Sequence, residues 1–233
     1  MKFKLIILSA IFAACCFSEP IAQKVHSQGV KVEVVNESGT HQFGSGVAFK
    51  GKTEDDIDAV FIITCAHVLI DSNITGERTF PQKVIARTPK GQSNIKDMIL
   101  SEKALEIGFD CALLVATNNT EIFNIASIST NSLSPRVGED VYIVGNPNNI
   151  GILTVDGMMS ANNLFLPARG HYYDIISTKI THGFSGGGVF RKSDGKYVGL
   201  VSMMDSSHFV VAIPSNQIRV LLDKIKIKGI FKE

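Results

Sequence analysis

Val30-Lys31-Val32-Glu33-Val34 alternates apolar with charged side chains; Asn36-Glu37-Ser38-Gly39 follows, and then Gln42-Phe43-Gly44-Ser45-Gly46-Val47-Ala48-Phe49. Successive side chains of a strand point to opposite faces, so a period of two marks a half-buried strand. The polar, glycine-ended tetrad is turn chemistry, and the segment after it reads as the returning strand of a hairpin. The same grammar continues outward. Apolar runs recur at Ala59–Thr64, Val84–Arg87, Ala112–Ala116 and Val141–Val144, then at Ile152–Val155, Asp174–Ser177, Gly188–Arg191, Tyr197–Ser202 and Phe209–Ile213. Gly, Pro, Asn and Ser separate them. Many short strands at regular spacing indicate an all-β barrel or sandwich. Thr154-Val155-Asp156-Gly157 reads as a hairpin or strand exit. Only the tail has helical spacing: Ser215 as N-cap, then Ile218, Val220, Leu221, Leu222 and Ile225. A polar stretch from Asn118 to Pro135 is the candidate connection between two lobes, one about 30–120 and one about 136–214, with a helix at about 215–227.

The 233 residues are 45% hydrophobic and 19% charged, so the chain can bury a core and is not disordered. Lys+Arg 23 against Asp+Glu 22 leaves no basic field for a nucleic-acid backbone, so no nucleic-acid partner is expected. The first residues differ from the body. Lys2 and Lys4 precede an apolar run, Leu5 to Phe17, broken only by Ser9. It is shorter than the roughly 20 apolar residues a membrane span needs, and it reads as an export signal over residues 1–22, with the folded body at 23–233. Two processing routes stay open. Phe12-Ala13-Ala14-Cys15 resembles a lipoprotein site, with Cys16 as a second candidate; ordinary cleavage near Ser18 or Ala22 would release the protein from the membrane. The protein is thus expected to be exported, periplasmic or secreted, and to meet a membrane only through such an anchor. Cys65 and Cys111 remain in the body. Two cysteines without a CxxC do not make a zinc site, and on buried strands they read as small hydrophobes, although export permits a bridge.

Three motifs carry chemistry: Thr64-Cys65-Ala66-His67-Val68 after a strand, Phe109-Asp110-Cys111-Ala112-Leu113-Leu114 opening a strand, and Gly183-Phe184-Ser185-Gly186-Gly187-Gly188 in a glycine-rich turn. Each alone is commonplace: a strand-end histidine, a turn aspartate, a loop serine. Together they supply what acyl transfer requires. Ser185 is a hydroxyl that needs a base, His67 is that base, and Asp110 is the carboxylate that fixes the base's tautomer. The N–H groups of Gly183 and Ser185 would line an oxyanion hole. No cofactor and no metal are expected.

The order His67, Asp110, Ser185 and the flanking residues resemble the chymotrypsin-like (trypsin-fold) serine peptidases, and among them the HtrA-like bacterial branch. Gly44-Ser45-Gly46-Val47 resembles the strand entry upstream of the histidine. Val137 to Pro147 resembles the opening of the second barrel, and Val211-Ala212-Ile213-Pro214-Ser215-Asn216 the last strand entering the C-terminal helix. The resemblance runs from about Val30 to about Lys226. It implies two six-stranded β-barrels with the site in the cleft between them, and a protein or peptide substrate. Phe184 departs from it: animal members carry an aspartate there and asparagine is common in the bacterial branch, which leaves open how the turn is anchored. Cys65 replaces a usual alanine. The chain ends at Glu233 with no PDZ module after the helix, and oligomeric state is not readable.

By the same resemblance the substrate pocket would be walled by Ile175–His182, Ser202–Met204 and His208–Val211, with Lys179, His182, Ser202, Met203 and Met204 as its residues. Methionines at 203 and 204 would narrow it toward small or aliphatic side chains, and no aspartate sits at its base to receive Arg or Lys. His182 beside the oxyanion glycine either touches substrate or is a rim residue without a role. His26, His41, His171 and His208 receive no role. Asp55, Asp56 and Asp58 lack the glycine and terminal glutamate of an EF-hand loop and read as a solvated hairpin. The leading expectation is an exported serine endopeptidase. The alternatives are a catalytically weak binding protein of the same fold and an esterase-type hydrolase.

Overall fold

The computed structural model describes residues 19–72, 78–79, 81–95, 97–99, 110–116, 118–128, 135–205 and 208–230. The expected signal run, with Cys15 and Cys16, lies outside them, as do Phe109 and part of the 118–135 connection.

The first lobe opens with helix α1 (Ile21–Ser27), then strands β1 (Gly29–Val35), β2 (His41–Lys52) and β3 (Asp58–Thr64), the single helical turn α2 (Ala66–Leu69), and the small ribbon β4 (Asp71–Ser72) with β5 (Arg78–Thr79). Strands β6 (Lys83–Thr88), β7 (Gly91–Ile95), β8 (Asp97–Ile99) and β9 (Ala112–Ala116) complete it. The period-two hairpin is observed: Val30 pairs with Gly46 and Val34 with Gln42. Val30, Val32 and Val34 point into the core and are buried, as the alternation requires. The sheet order is β7-β6-β1-β2-β3-β9-β8, and β7 lies against β9, so this sheet curls toward closure with seven strands.

The second lobe closes fully. Strands β10 (Asp140–Gly145), β11 (Leu153–Leu166), β12 (His171–Ser177), β13 (Gly188–Arg191), β14 (Tyr197–Asp205) and β15 (Phe209–Pro214) form a six-stranded barrel in the order β10-β11-β12-β15-β14-β13. The all-β, two-lobed expectation thus holds. Thr154–Gly157 is not a hairpin or exit: it lies inside the long β11, where Thr154 pairs with Val144 and Asp156 with Tyr142. The polar and small side chains that suggest a turn there sit on a strand held by its pairing with β10, and from Met158 onward the strand pairs with β12.

The C-terminal helix α3 spans Ser215–Lys224, shorter than expected. Ser215 is its first residue, not its cap. Pro214 holds the N-cap position with extended backbone and no side chain caps the helix; the fixed φ of proline ends β15 and launches the helix one residue later.

Both ends of the chain cross between lobes. α1 packs on β10 and β11 of the second lobe, with His26 Nδ1 3.0 Å from Thr154 Oγ1, before β1 enters the first sheet. After α3, Lys52 and Lys228 exchange two backbone hydrogen bonds of 2.9 and 3.2 Å, which brings the tail onto β2. Asp56 and Glu54 in the acidic hairpin pair with Lys228 and Lys226. The described first part of the connection, 118–128, is packed: Ala126 N–H donates to Ala48 O and Tyr197 N–H to Ser127 O, each at 2.8 Å. Tyr197, fully buried, stacks edge-on against Phe49 of the first lobe at 5.0 Å and Phe190 of the second at 5.7 Å, so one apolar core runs across the seam.

Candidate active site

β3 ends at Thr64, and the extended Cys65 leads into the single turn α2, which presents His67 with its ring half exposed. Thr64 pairs with Ala112, and that register brings Asp110, two residues ahead of Ala112, beside the turn. Asp110 grips His67 twice: Oδ1 accepts the backbone N–H at 3.0 Å and Oδ2 lies 2.7 Å from Nδ1. Ser202 Oγ–H donates to the same Oδ2 at 2.7 Å. Burial alone would raise the Asp110 carboxyl, but the His67 contacts and the Ser202 donor outweigh it and hold it below its ordinary value of 3.8. A carboxylate on Nδ1 leaves Nε2 as the ring nitrogen free to accept a proton.

Ser185 comes from the other lobe, on the turn between β12 and β13. Gly183 has φ +98° and Gly186 φ +84°, the left-handed region that favours glycine. Space excludes a side chain as well: a Cβ at 183 would lie 2.3 Å from Asn146 O, and one at 186 would lie 2.1 Å from Ser45 O. Where the resemblance implies a polar residue, Phe184 is buried instead. It is 2% exposed and joins the second barrel's core with Val141, Ile143 and Val189, so apolar packing anchors the turn. Ser185 Oγ–H makes a long hydrogen bond, 3.5 Å, to Ser202 O.

Two clefts meet at this point. One, of about 220 Å³, is lined by His67, Ser185, Ile180, Thr181 and His182 together with Val201 to Met204. The other, of about 350 Å³, is lined by Gln42, Phe43, Val68 and Gly183 together with His67, His182 and Ser185. Histidines 67 and 182 and Ser185 therefore border both. Of the five residues expected at the pocket, His182, Ser202, Met203 and Met204 line the first cleft. Lys179 does not: it is exposed and lies outside that lining, because Ile180 is the residue of this segment that turns inward.

The trypsin-like peptidase domain family matches residues 44–200, two thirds of the chain, including all three motifs. The chain belongs to that family. Solved structures agree on the fold. The HtrA-type protease AlgW with a tripeptide superposes with a TM-score of 0.65 at 17% identity, covering 89% of this chain and 63% of its own. The serine endoprotease from Yersinia pestis gives 0.64 at 20% identity, covering 88% and 65%. The chain therefore spans less than two thirds of the length of the structures it matches. No curated protein sequence matches it.

In this trypsin-like peptidase domain Cys65 Sγ, an Asp110 oxygen and a His67 nitrogen lie within 4.8 Å of one another. The donors are already engaged. Asp110 Oδ2 takes both His67 and Ser202, and the Cys65 thiol donates to Val201 O at 3.0 Å. Burial, with the nearby Asp110 charge, pushes the thiol well up and opposes the thiolate a metal would need. Cys65 and Cys111 are both free and buried, the small-hydrophobe reading. His26 and His41 also find partners, Thr154 and Glu33. The Ser202 hydroxyl on Asp110 was not legible; the sequence placed Ser202 only in the pocket wall. No local pattern reports a contact across 92 residues.

Proposed function

We propose that this trypsin-like peptidase domain is an exported serine endopeptidase that cuts peptide bonds through an acyl-enzyme, with Ser185 as nucleophile, His67 as base and Asp110 as the group that orients it. One observation carries the reading: Asp110 holds His67 Nδ1 at 2.7 Å while His67 and Ser185 border the same two clefts. In the reaction Ser185 Oγ turns from Ser202 O toward His67 Nε2, which takes the hydroxyl proton as Oγ attacks the substrate carbonyl. His67 then passes that proton to the departing amine as the C–N bond breaks. Water, deprotonated by the same nitrogen, attacks the acyl-enzyme and frees Ser185. The amides of Gly183 and Ser185 hold the oxyanion in both halves.

Ile180, Met203 and Met204 favour a small or aliphatic residue before the cut bond, and among the described residues no acidic side chain lines that cleft to receive Arg or Lys. The second cleft accepts the chain on the other side of the bond, which suits an internal cut. Export rests on the Lys2–Phe17 pattern. Ile21 packs against the core and Val25 is fully buried, which favours processing upstream of Ile21. Among the described residues no helix is long and apolar enough to cross a membrane. The 3.5 Å bond from Ser185 to Ser202 O favours the second reading, a catalytically weak binding protein of this fold.

A fluorophosphonate probe separates the two. Under the peptidase reading it labels the wild type, and Ser185→Ala, which lowers turnover on the order of 10⁶ in such units, removes the label. Labelling that persists in Ser185→Ala, or an unreactive wild type, overturns the reading.

A further inference from the structure

Ser45 sits on β2 of the first lobe, fully buried, and all of its polar groups are engaged. Its N–H donates to Ser185 O at 2.8 Å. Its Oγ–H donates to Gly183 O at 2.6 Å and accepts the Asn146 N–H at 2.7 Å. Its own carbonyl accepts Thr64 Oγ1–H at 2.7 Å, which ties it to the strand that delivers His67. Two further bonds hold the same turn: Asn148 N–H on His182 O at 2.9 Å and Gly187 N–H on Phe184 O at 2.8 Å.

All four carbonyls from His182 to Ser185 are therefore engaged. In a trans peptide C=O and N–H point in opposite directions, so fixing a carbonyl fixes the amide across the plane. The partners of His182 O and Phe184 O set where the Gly183 and Ser185 amides point. The plane between those two, Gly183–Phe184, pivots on a glycine with φ +98°, the softest point of the turn. Its carbonyl is held by one side chain, Ser45, and that side chain belongs to the opposite lobe.

We propose that Ser45 is a positioning residue: reaching across the seam, its hydroxyl locks the Gly183–Phe184 peptide so that the amides of Gly183 and Ser185 converge on the oxyanion. The inference rests on the peptidase reading. It assigns Ser45 to the rate of the chemical step and not to substrate binding. Removing one oxyanion donor outright lowers rate about 10²–10³-fold; loosening the plane between the donors should do less.

The test uses the full chain and fluorophosphonate labelling resolved into kinact and KI. Ser45→Ala should lower kinact roughly 30-fold, below the loss of a whole donor, with KI unchanged. Ser45→Thr, which keeps the hydroxyl, should recover most of kinact. Wild-type kinact in Ser45→Ala, a loss carried in KI, or a Ser45→Thr as slow as Ser45→Ala overturns the proposal. If Ser45→Ala does not fold, Ser45→Cys substitutes, its weaker S–H giving an intermediate kinact; an unaltered kinact in that folded variant is equally fatal. A wild type that does not label defeats the peptidase reading itself, whereas a labelling wild type with an indifferent Ser45 defeats only this inference.

Discussion

The two lobes hold their halves of the site by different means. On the first, Asp110 and His67 are fixed by side chains: a carboxylate with three hydrogen-bond donors around it. On the second, Ser185 is fixed by backbone: two left-handed glycines, the packed Phe184 ring and engaged carbonyls. Side-chain order can be removed atom by atom with the fold left standing. Backbone order cannot, because the same atoms hold both turn and barrel. Substitutions on the first half should therefore change rate, and those on the second should damage stability.

The sharpest break is Asp110→Asn, which keeps the shape but loses the carboxylate that sets the tautomer. Turnover or labelling rate should fall about 10⁴-fold with a near-normal melting temperature. An unfolded variant would erase the contrast. Gly186→Ala is the mirror experiment: its Cβ would lie 2.1 Å from Ser45 O and 2.4 Å from Thr64 Oγ1. A loss of about 3 kcal/mol or more is expected in urea unfolding, and a stable but inactive protein would show the turn to be more forgiving than argued.

Smaller effects sharpen the contrast. Ser202→Ala deletes one donor from Asp110 Oδ2 and should slow labelling about tenfold, a hydrogen bond to a charged group being worth roughly 1.5–3 kcal/mol. The carboxyl, now held below 3.8 by His67 and Ser202 against burial, should titrate higher. A depressed carboxylate contributes stability above its unfolded value and loses it as pH falls through the folded one, so the acid unfolding midpoint should also rise. Carboxyl ¹³C shifts followed against pH check both. Least of all, Cys65→Ala restores the family's usual residue. It removes the bond to Val201 O and should cost about 1 kcal/mol, with the labelling rate unaltered.

What the sequence shows follows the same division. Period-two runs announced the hairpin β1–β2, and the three motifs named the residues of the candidate site, because each is local. Features built by distant contact were silent. Ser45 stands in a quoted motif, Gly44-Ser45-Gly46-Val47, yet its partner Gly183 is 138 residues away. Lys179 was placed in the pocket by resemblance, but in the irregular segment after β12 it is Ile180 that is buried and Lys179 that is exposed. β11 ran on where Thr154–Gly157 suggested an end, since β10 pairs with that stretch and β12 takes over from Met158, pairing that propensity does not see. The helix at Ile21–Ser27 escaped notice because its first residues fall within the expected signal.

The crossed chain ends have a consequence of their own. The leading helix is seated on the later lobe before the chain builds the earlier one, and the trailing segment returns from the later lobe to stitch itself to β2. Each hemisphere is thus held by a segment that arrives from the other side of the seam. Removing α1 or the Lys226–Ile230 segment should leave both hemispheres folded but let them rock, and the proposed proton path between them would be the first thing to lose its alignment.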